Sequence, residues 1–271
     1  MTQRISSIVW TLAFACVLIP GVAGAFITGI TPQPVAATAG VSFTGPVATF
    51  VESDASFTPS DYTASINWGD ATSSAGTVSG GSGAFTVTGS HVYAAGGPYT
   101  ITVTVTSTNV YLTSLHGTSE VPPNASVGVG GGSVVLNPAQ TQITVDLNFS
   151  LLSDAATAAH IHTAPVGVNG PVTFPLTGVP AATSGSLATQ TFAITPAQLA
   201  DLLAGNLYMN VHTSVYPGGE IRGQLTPELA LVTLDADVGV PAAVPLLGSV
   251  GLAGLMLAVL AIGLMMLRRQ G

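Results

Sequence analysis

The sequence predicts an all-β protein made of two β-sandwich domains in tandem, the second with one short helix, followed by a C-terminal transmembrane helix. The chain is rich in glycine, proline and threonine, and its short β-branched runs are separated by turn residues. Residues 99–106 alternate strictly between apolar residues and threonines, which is typical of a strand with one buried face. Helix start and stop signals enclose one short segment in the second half of the chain.

The first 25 residues are predicted to be a secretory signal peptide. Arg4 precedes an apolar run at residues 8–19, and small residues follow at 23–25. This is the order of charged, apolar and cleavage regions in such a peptide, so we expect cleavage after Ala25. The body of the protein is then exported.

Residues 26–108 are predicted to form the first domain. Residues 66–70 read INWGD, residues 91–93 read HVY, and the alternating strand follows them. These motifs, in this order, resemble the PKD domain, an immunoglobulin-like module common on cell surfaces. The resemblance implies a role in spacing, adhesion or presentation rather than catalysis. We expect Trp68 and Tyr93 to pack in the core, and Asp70 to make a side-chain to backbone bond in a turn.

Residues 109–227 are predicted to form the second domain, which contains the short helix. Thr195 has the character of an N-cap, Pro196 suits the first helical position, and Gly205 suits the residue after the end. Leucines at 199, 202 and 203 share one face. We expect this helix to lie against a sheet.

Five short motifs of the second domain occur in order along the chain. They are 120–123 (EVPP), 159–162 (AHIH), 167–171 (GVNGP), 208–213 (YMNVHT) and 219–224 (GEIRGQ). Together they resemble the CHRD domain, named for chordin. The resemblance implies an all-β sandwich or barrel of a secreted protein and leaves the activity undefined.

Three histidines of these motifs are candidate metal ligands. His160 and His162 are two residues apart on a predicted strand, so their side chains share a face. His212 lies on another predicted strand, and Glu220 and Arg222 share a face of a third. Neutral imidazoles suit copper or zinc. An H-x-H strand in a β-sandwich also resembles copper/zinc superoxide dismutase, whose other histidine ligands and disulfide are not evident here.

The same residues have a structural interpretation, which we favour from the sequence alone. The histidines then hydrogen-bond to backbone or carboxylate groups in a buried polar network that Glu220 and Arg222 complete. Arg222 is the only cation between the two terminal apolar segments. We therefore expect it to pair with Glu220 or Asp146, and anion binding is its alternative role.

Residues 228–245 are predicted to be a linker, and residues 246–271 a transmembrane helix with an arginine-rich sorting tail. The uncharged run 246–267 has 22 residues, and a helix of that length spans about 33 Å, enough to cross a bilayer core. Two arginines follow it and keep this end on the cytoplasmic side. The layout from Val240 onwards resembles the PEP-CTERM and IPTL-CTERM sorting tails, which implies a membrane and a sorting protease as partners. A plain single-span anchor is the alternative.

The body of the protein is strongly acidic. The chain has no lysine. The interval between the terminal apolar segments contains all twelve Asp and Glu residues but only one arginine, Arg222, so the body carries a net charge near −11. Such a surface repels phosphate, and nucleic-acid binding is excluded as a function class. The single cysteine, Cys16, lies in the N-terminal apolar run, so the body has neither a thiol nor a disulfide.

These patterns predict a non-enzymatic, exported protein of the bacterial cell envelope or cell surface. Its second domain contacts an envelope protein or a polysaccharide, and its tail holds it at the membrane. The alternative is an extracytoplasmic copper- or zinc-binding protein that uses His160, His162 and His212, with dismutase-like activity as a remote extension.

Overall fold

Fifteen β-strands, joined by hydrogen bonds into one network, make up the protein in a computed structural model that describes residues 26–241. The all-β prediction is therefore confirmed. The predicted signal peptide, residues 1–25, and the predicted transmembrane helix, residues 246–271, lie outside the described residues. Between residues 26 and 241, no helix combines the length and the apolar character that a bilayer span requires.

Six strands and the last strand of the described chain enclose a first hydrophobic core. The six are β1 (Ile27–Pro32), β2 (Phe43–Glu52), β3 (Tyr62–Asn67), β4 (Ser73–Gly81), β5 (Ala84–His91) and β6 (Gly97–His116). Hydrogen-bonded neighbours follow the order β1-β2-β5-β4-β3-β6. Strand β4 pairs with β3 through its first residues and with β5 through its last, so the strands wrap around the core.

The aromatic residues of the first core take the positions that the sequence predicts. Trp68 and Tyr93 are fully buried, with their rings edge to face at 6.4 Å. The Tyr93 hydroxyl donates to the Trp68 carbonyl oxygen at 3.1 Å. Asp70 accepts a hydrogen bond from the Thr72 N–H at 3.1 Å, which is the predicted turn bond. The packing and turn roles are confirmed, and the likeness to the PKD domain stays a prediction.

The linker predicted at residues 228–245 is wrong for residues 228–238. These residues belong to the last strand, β15 (Thr226–Val238), which pairs antiparallel with β6 in continuous register from Leu229 to Val238. Alternate side chains from Val232 to Val238 are buried in the first core. The segment has the period-two pattern of a strand. Its partner strand, β6, is distant in the sequence, however, so the pattern of neighbouring residues does not reveal the pairing.

Strand β6 crosses the boundary predicted between residues 108 and 109 without a break. Its residues 97–106 pair with β15. Its residues 110–116 pair with β7 (Val129–Leu136), which belongs to a second hydrophobic core. The chain leaves this β6/β15 ribbon after His116 and returns at Thr226, which lies opposite Leu112. The residues of the second core are therefore inserted between two paired strands of the first.

Eight further strands and the helix build the second core. They are β7 (Val129–Leu136), β8 (Gln142–Ser150), β9 (Ala156–Thr163), β10 (Val172–Leu176), β11 (Gly185–Ser186), β12 (Gln190–Ala193), α1 (Pro196–Leu203), β13 (Leu207–Thr213) and β14 (Ile221–Gln224). The predicted helix is confirmed. The Thr195 hydroxyl oxygen accepts from the Gln198 N–H in a capping box, and Leu202 is buried in the second core.

Candidate functional site

Three adjacent strands of the second core carry a polar face. Strand β13 lies between β9 and β14 and is antiparallel to both. Alternate residues of each strand are apolar and lie in the second core, so the residues between them share the opposite face. The register places His162 opposite Tyr208, and it places Asn210 between His160 and Arg222. The polar face thus brings together residues of three separate motifs.

The three histidines converge on this face. One ring nitrogen from each of His160, His162 and His212 lies within 4.8 Å of the other two. The closest pair is His160 Nδ1 and His212 Nε2, which are 3.1 Å apart. All three residues are half-buried. The sequence predicted that these imidazoles meet if their strands adjoin, and the pairing of β9 with β13 brings them together.

Two backbone carbonyl groups fix the tautomers of His162 and His212, that is, which ring nitrogen carries the proton. His162 Nδ1 lies 3.0 Å from the Gly170 oxygen, and His212 Nδ1 lies 3.0 Å from the Pro217 oxygen. A carbonyl oxygen only accepts, so both Nδ1 atoms carry the proton and donate. In the neutral rings both Nε2 atoms therefore keep a lone pair, and that of His212 accepts a hydrogen bond from His160 Nδ1. His162 Nε2 is buried and has no hydrogen-bond partner among the described residues.

Gly170 permits this arrangement through its missing side chain. A Cβ atom at this position would overlap the Thr163 carbonyl group. Only a glycine lets the loop between β9 and β10 approach β9 so closely that the Gly170 carbonyl oxygen accepts from His162. The glycine of the GVNGP motif thus orients an imidazole.

Burial lowers the pKa of all three imidazoles. Neighbouring histidines lower the pKa of His160 and of His212 further, and Arg222 does the same for His162. The ordinary pKa of histidine is about 6.5. The three rings are therefore neutral near pH 7, the form that binds metal ions.

Arg222 is buried beside the histidines, but it does not form the predicted pair with Glu220 or Asp146. Its guanidinium carbon lies 3.4 Å from the centre of the Tyr208 ring, and the same ring stacks on His162 at 4.9 Å. The remaining contacts of the guanidinium are two hydrogen bonds, to the Asn169 side-chain oxygen at 3.2 Å and to the Val168 carbonyl oxygen at 2.8 Å.

The carboxylate that Arg222 influences is Glu120. Burial raises the pKa of Glu120 to about 7, and the Arg222 guanidinium and a hydrogen bond from Asn210 oppose that rise. Asn210 Nδ2 donates to Glu120 Oε1 at 2.8 Å. Both Glu120 and Arg222 are almost fully buried. The buried polar network predicted around Arg222 thus exists with Glu120 in place of Glu220.

Glu220 organises a separate network at the start of β14. Its carboxylate is fully buried and accepts four hydrogen bonds, from the Ser126 hydroxyl at 2.6 Å, the Ser153 N–H at 2.7 Å, the Ser153 hydroxyl at 2.8 Å and the Thr213 hydroxyl at 2.6 Å. Burial opposes ionisation, but these hydrogen bonds outweigh it and lower the pKa of Glu220. Glu220 therefore joins two loops and the end of β13 as a carboxylate.

The variant Glu220→Gln is expected to be less stable at neutral pH. Hydrogen bonds to charged groups contribute about 1.5–3 kcal/mol each, and an amide cannot accept all four, so we expect a loss of about 3 kcal/mol. Because the pKa of the folded-state carboxylate lies below its unfolded value, its stabilisation is present above the unfolded pKa and is lost as the pH falls through the folded pKa. Urea unfolding at about pH 7, 5 and 3 should show that the difference in free energy of unfolding between the variant and the unchanged protein decreases as the pH falls.

The control for this experiment is Asp237→Asn, which changes an exposed carboxylate on β15. It should be as stable as the unchanged protein at each pH. A gap between the Glu220 variant and the unchanged protein that stays constant at every pH would contradict the proposed role of the ionised carboxylate.

Sequence reasoning missed several residues that complete the site. Tyr208 and Glu120 both stand in the quoted motifs. An aromatic residue on the His212 strand and an acidic residue before Val121-Pro122 were the signals that could have identified them. The carbonyl groups of Gly170 and Pro217 act through the backbone, so no side-chain pattern reveals them. Asn169 was visible only as part of a turn.

A comparison with protein families finds one match. Residues 111–225 match the family described as the CHRD domain, which confirms the resemblance found in the five motifs. The matched segment begins within β6 and ends just before β15, so it coincides with the part of the chain that is inserted between those strands. A comparison with curated proteins finds no match.

Proposed function

Starting from the CHRD-domain match of residues 111–225, we propose that this part of the chain binds a copper or zinc ion through His160, His162 and His212. Two observations support the proposal: one ring nitrogen from each of the three histidines lies within 4.8 Å of the other two, and His162 Nε2 is buried without a hydrogen-bond partner among the described residues. A buried polar atom normally has a partner. A metal ion supplies one.

The donor set fits copper or zinc. Neutral imidazoles suit these ions, whereas magnesium and calcium require oxygen ligands. Within residues 26–241, these histidines form the one convergent group of three or more potential ligands among His, Cys, Asp and Glu. Two nitrogens on a tetrahedral ion with bonds of about 2.0–2.1 Å lie about 3.3 Å apart. The 3.1 Å between His160 Nδ1 and His212 Nε2 is close to this value, and a bound ion would replace the proton of the hydrogen bond between these two atoms.

The surroundings of the rings favour the same function. Metal-binding histidines commonly donate their second N–H to a carbonyl or carboxylate group, which fixes the ring and the tautomer. Gly170 and Pro217 provide such carbonyl groups for His162 and His212. Three histidine ligands also leave one coordination position for water or a small anion.

Metal analysis of tag-free protein comprising residues 26–241 tests the proposal. After incubation with zinc or copper and removal of free ion, we expect about one equivalent bound, and less than about a tenth for the double variant His160→Ala/His162→Ala. Copper-loaded protein should show nitrogen hyperfine coupling in its electron paramagnetic resonance spectrum. Bound metal should also raise the melting temperature of the unchanged protein, since it binds only the folded state.

The matched control is His116→Ala. His116 is an exposed histidine on β6, outside the convergent group. This variant should keep the full equivalent of metal. Less than a tenth of an equivalent in the unchanged protein, or equal binding by the double variant, would show that the histidine cluster is only a structural network.

A second candidate function is that of a non-enzymatic envelope module, and the two functions are compatible. The predicted signal peptide, the acidic body without thiols and the predicted C-terminal anchor support export and attachment to the membrane. The likeness of residues 26–108 to the PKD domain supports a role in spacing or presentation. We propose an envelope protein or a polysaccharide as the partner, and a sorting protease as the enzyme that processes the tail.

Cell fractionation tests this second candidate. The protein should be found in the envelope or at the cell surface, with its first residue at Phe26. Recovery of the whole chain from the cytoplasm with residues 1–25 attached would contradict export.

A further inference from the structure

Two carboxylates are buried next to each other in the first core. Glu52 at the end of β2 and Glu228 on β15 are 3% and 4% exposed. Glu52 accepts hydrogen bonds from the Tyr62 hydroxyl at 2.9 Å and from the Ser53 hydroxyl at 3.2 Å. Glu228 Oε1 accepts from the Ile27 N–H at 2.9 Å, while Glu228 Oε2 is buried without a partner among the described residues.

Between residues 26 and 241, no lysine or arginine side chain pairs with these carboxylates. The chain contains no lysine, and its one arginine between residues 26 and 241, Arg222, contacts Tyr208 and the 168–169 loop at the second core. Burial, and then the charge of Glu52, raise the pKa of Glu228 to about 7. Buried charges are normally paired, because an uncompensated charge in the interior is strongly destabilising. A positive charge near these carboxylates would therefore stabilise their ionised forms.

The backbone that leads into β1 is linked to both carboxylates, to Glu228 directly and to Glu52 through the Ser53 hydroxyl. The Phe26 nitrogen donates to the Ser53 hydroxyl oxygen at 2.8 Å, and that hydroxyl donates to Glu52. The next nitrogen, that of Ile27, is the one that contacts Glu228. The Phe26 side chain packs against the first core and holds this segment in place.

We infer that the α-ammonium group of mature Phe26 is the cationic partner of Glu52 and Glu228. The inference rests on the proposed cleavage after Ala25. A peptide nitrogen at Phe26 has one proton and no charge, whereas the ammonium group has three protons and a positive charge. One proton keeps the bond to Ser53, and the positive charge then lies beside Ser53 and Ile27, the residues that contact Glu52 and Glu228. Removal of the leader thus completes the first core by creating the charge that it lacks.

The chain offers a specific test, because without lysine the α-amino group is its only primary amine. The full-length protein is exported from a bacterial host, purified in detergent and acylated with an amine-reactive reagent over a range of pH. The ordinary pKa of an α-amino group is about 7.7–8.0, and pairing should move the midpoint of the pH–rate profile up by about one pH unit relative to the urea-unfolded protein. Acylation is then roughly fivefold slower at about pH 8 and roughly tenfold slower at about pH 7.

Variants separate pairing from simple burial of the amine. Glu228→Gln should return the midpoint toward that of the unfolded protein, whereas Glu120→Gln, a buried glutamate of the second core, should leave it raised. A chain with Gly-Ser added before Phe26 displaces the ammonium group, so its midpoint should be ordinary and its melting temperature lower. This extended chain keeps both carboxylates and tests the inference even where Glu228→Gln does not fold.

An ordinary midpoint in the protein that begins at Phe26, or a raised midpoint in the extended chain, overturns the inference. Failure of export is a separate result. If N-terminal sequencing of the exported protein shows residues 1–25 still attached, the proposed cleavage is wrong. The pairing is then measured on the chain released at Phe26 from a cleavable fusion.

Discussion

Removal of residues 228–271 should unfold the first core, whereas removal of residues 242–271 should leave it folded. The first deletion takes away β15, which pairs with β6 along ten residues and buries Val232, Leu234, Ala236 and Val238. Burial of a valine or leucine side chain contributes about 1.5–3 kcal/mol, so the loss is about 5 kcal/mol or more before the broken strand pairing is counted. Whole domains are stable by about 5–15 kcal/mol. The deletion therefore removes most or all of the stability of the first core.

Trp68 provides the measurement for this pair of deletions. It is the only tryptophan after residue 25 and is fully buried in the first core. In chains that begin at Phe26, its fluorescence should be that of a solvent-exposed indole when the chain ends at residue 227 and that of a buried indole when it ends at 241. Equal spectra and equal melting curves for the two chains would show that residues 228–238 act as the linker predicted from the sequence.

The variant Arg222→Ala should destabilise the second core by about 3–5 kcal/mol, the range expected when a buried guanidinium loses a cation–π contact and charge-assisted hydrogen bonds. Three interactions are lost together. The guanidinium leaves the face of Tyr208, its hydrogen bonds to Val168 and Asn169 disappear, and Glu120 loses the neighbouring positive charge. A desolvated cation–π contact alone contributes about 2 kcal/mol.

Urea unfolding measures this loss, and two further variants assign its cause. Arg222→Lys keeps the charge but not the planar group, so it should recover only part of the stability. Adding Glu120→Gln to Arg222→Ala removes the uncompensated carboxylate and should also recover part of it. An unchanged melting temperature for Arg222→Ala would contradict the role of Arg222 as the central group of the polar face.

The parts of the site that follow from strand periodicity were predictable. The alternation along 159–162 places His160 and His162 on one face, and the same rule places Tyr208, Asn210 and His212 together on β13. The helix at 196–203 was predictable because its cap, its proline and its closing glycine are local signals. The all-β class follows from the same short-range patterns.

The pairing partners of Arg222 were not predictable from these patterns. Glu220 is two residues away and was the obvious candidate, yet serine and threonine donors from other segments surround it. Arg222 instead lies beneath the loop at 168–169 and near Glu120, which comes from a loop far earlier in the chain. Contacts between loops of this kind decide which charges pair, and they produce no periodic pattern in the sequence.

The local sequence pattern defines the class of fold, the face of each strand and the three imidazoles available to a metal ion. Long-range contacts bring β9 next to β13 so that His212 reaches His160, place the carbonyl groups of Gly170 and Pro217 on two of the rings, and return β15 to β6. The difference lies in the range of the forces involved. Side-chain alternation is a property of neighbouring residues, whereas strand order and register arise from hydrogen bonds and burial between segments that are distant in the chain.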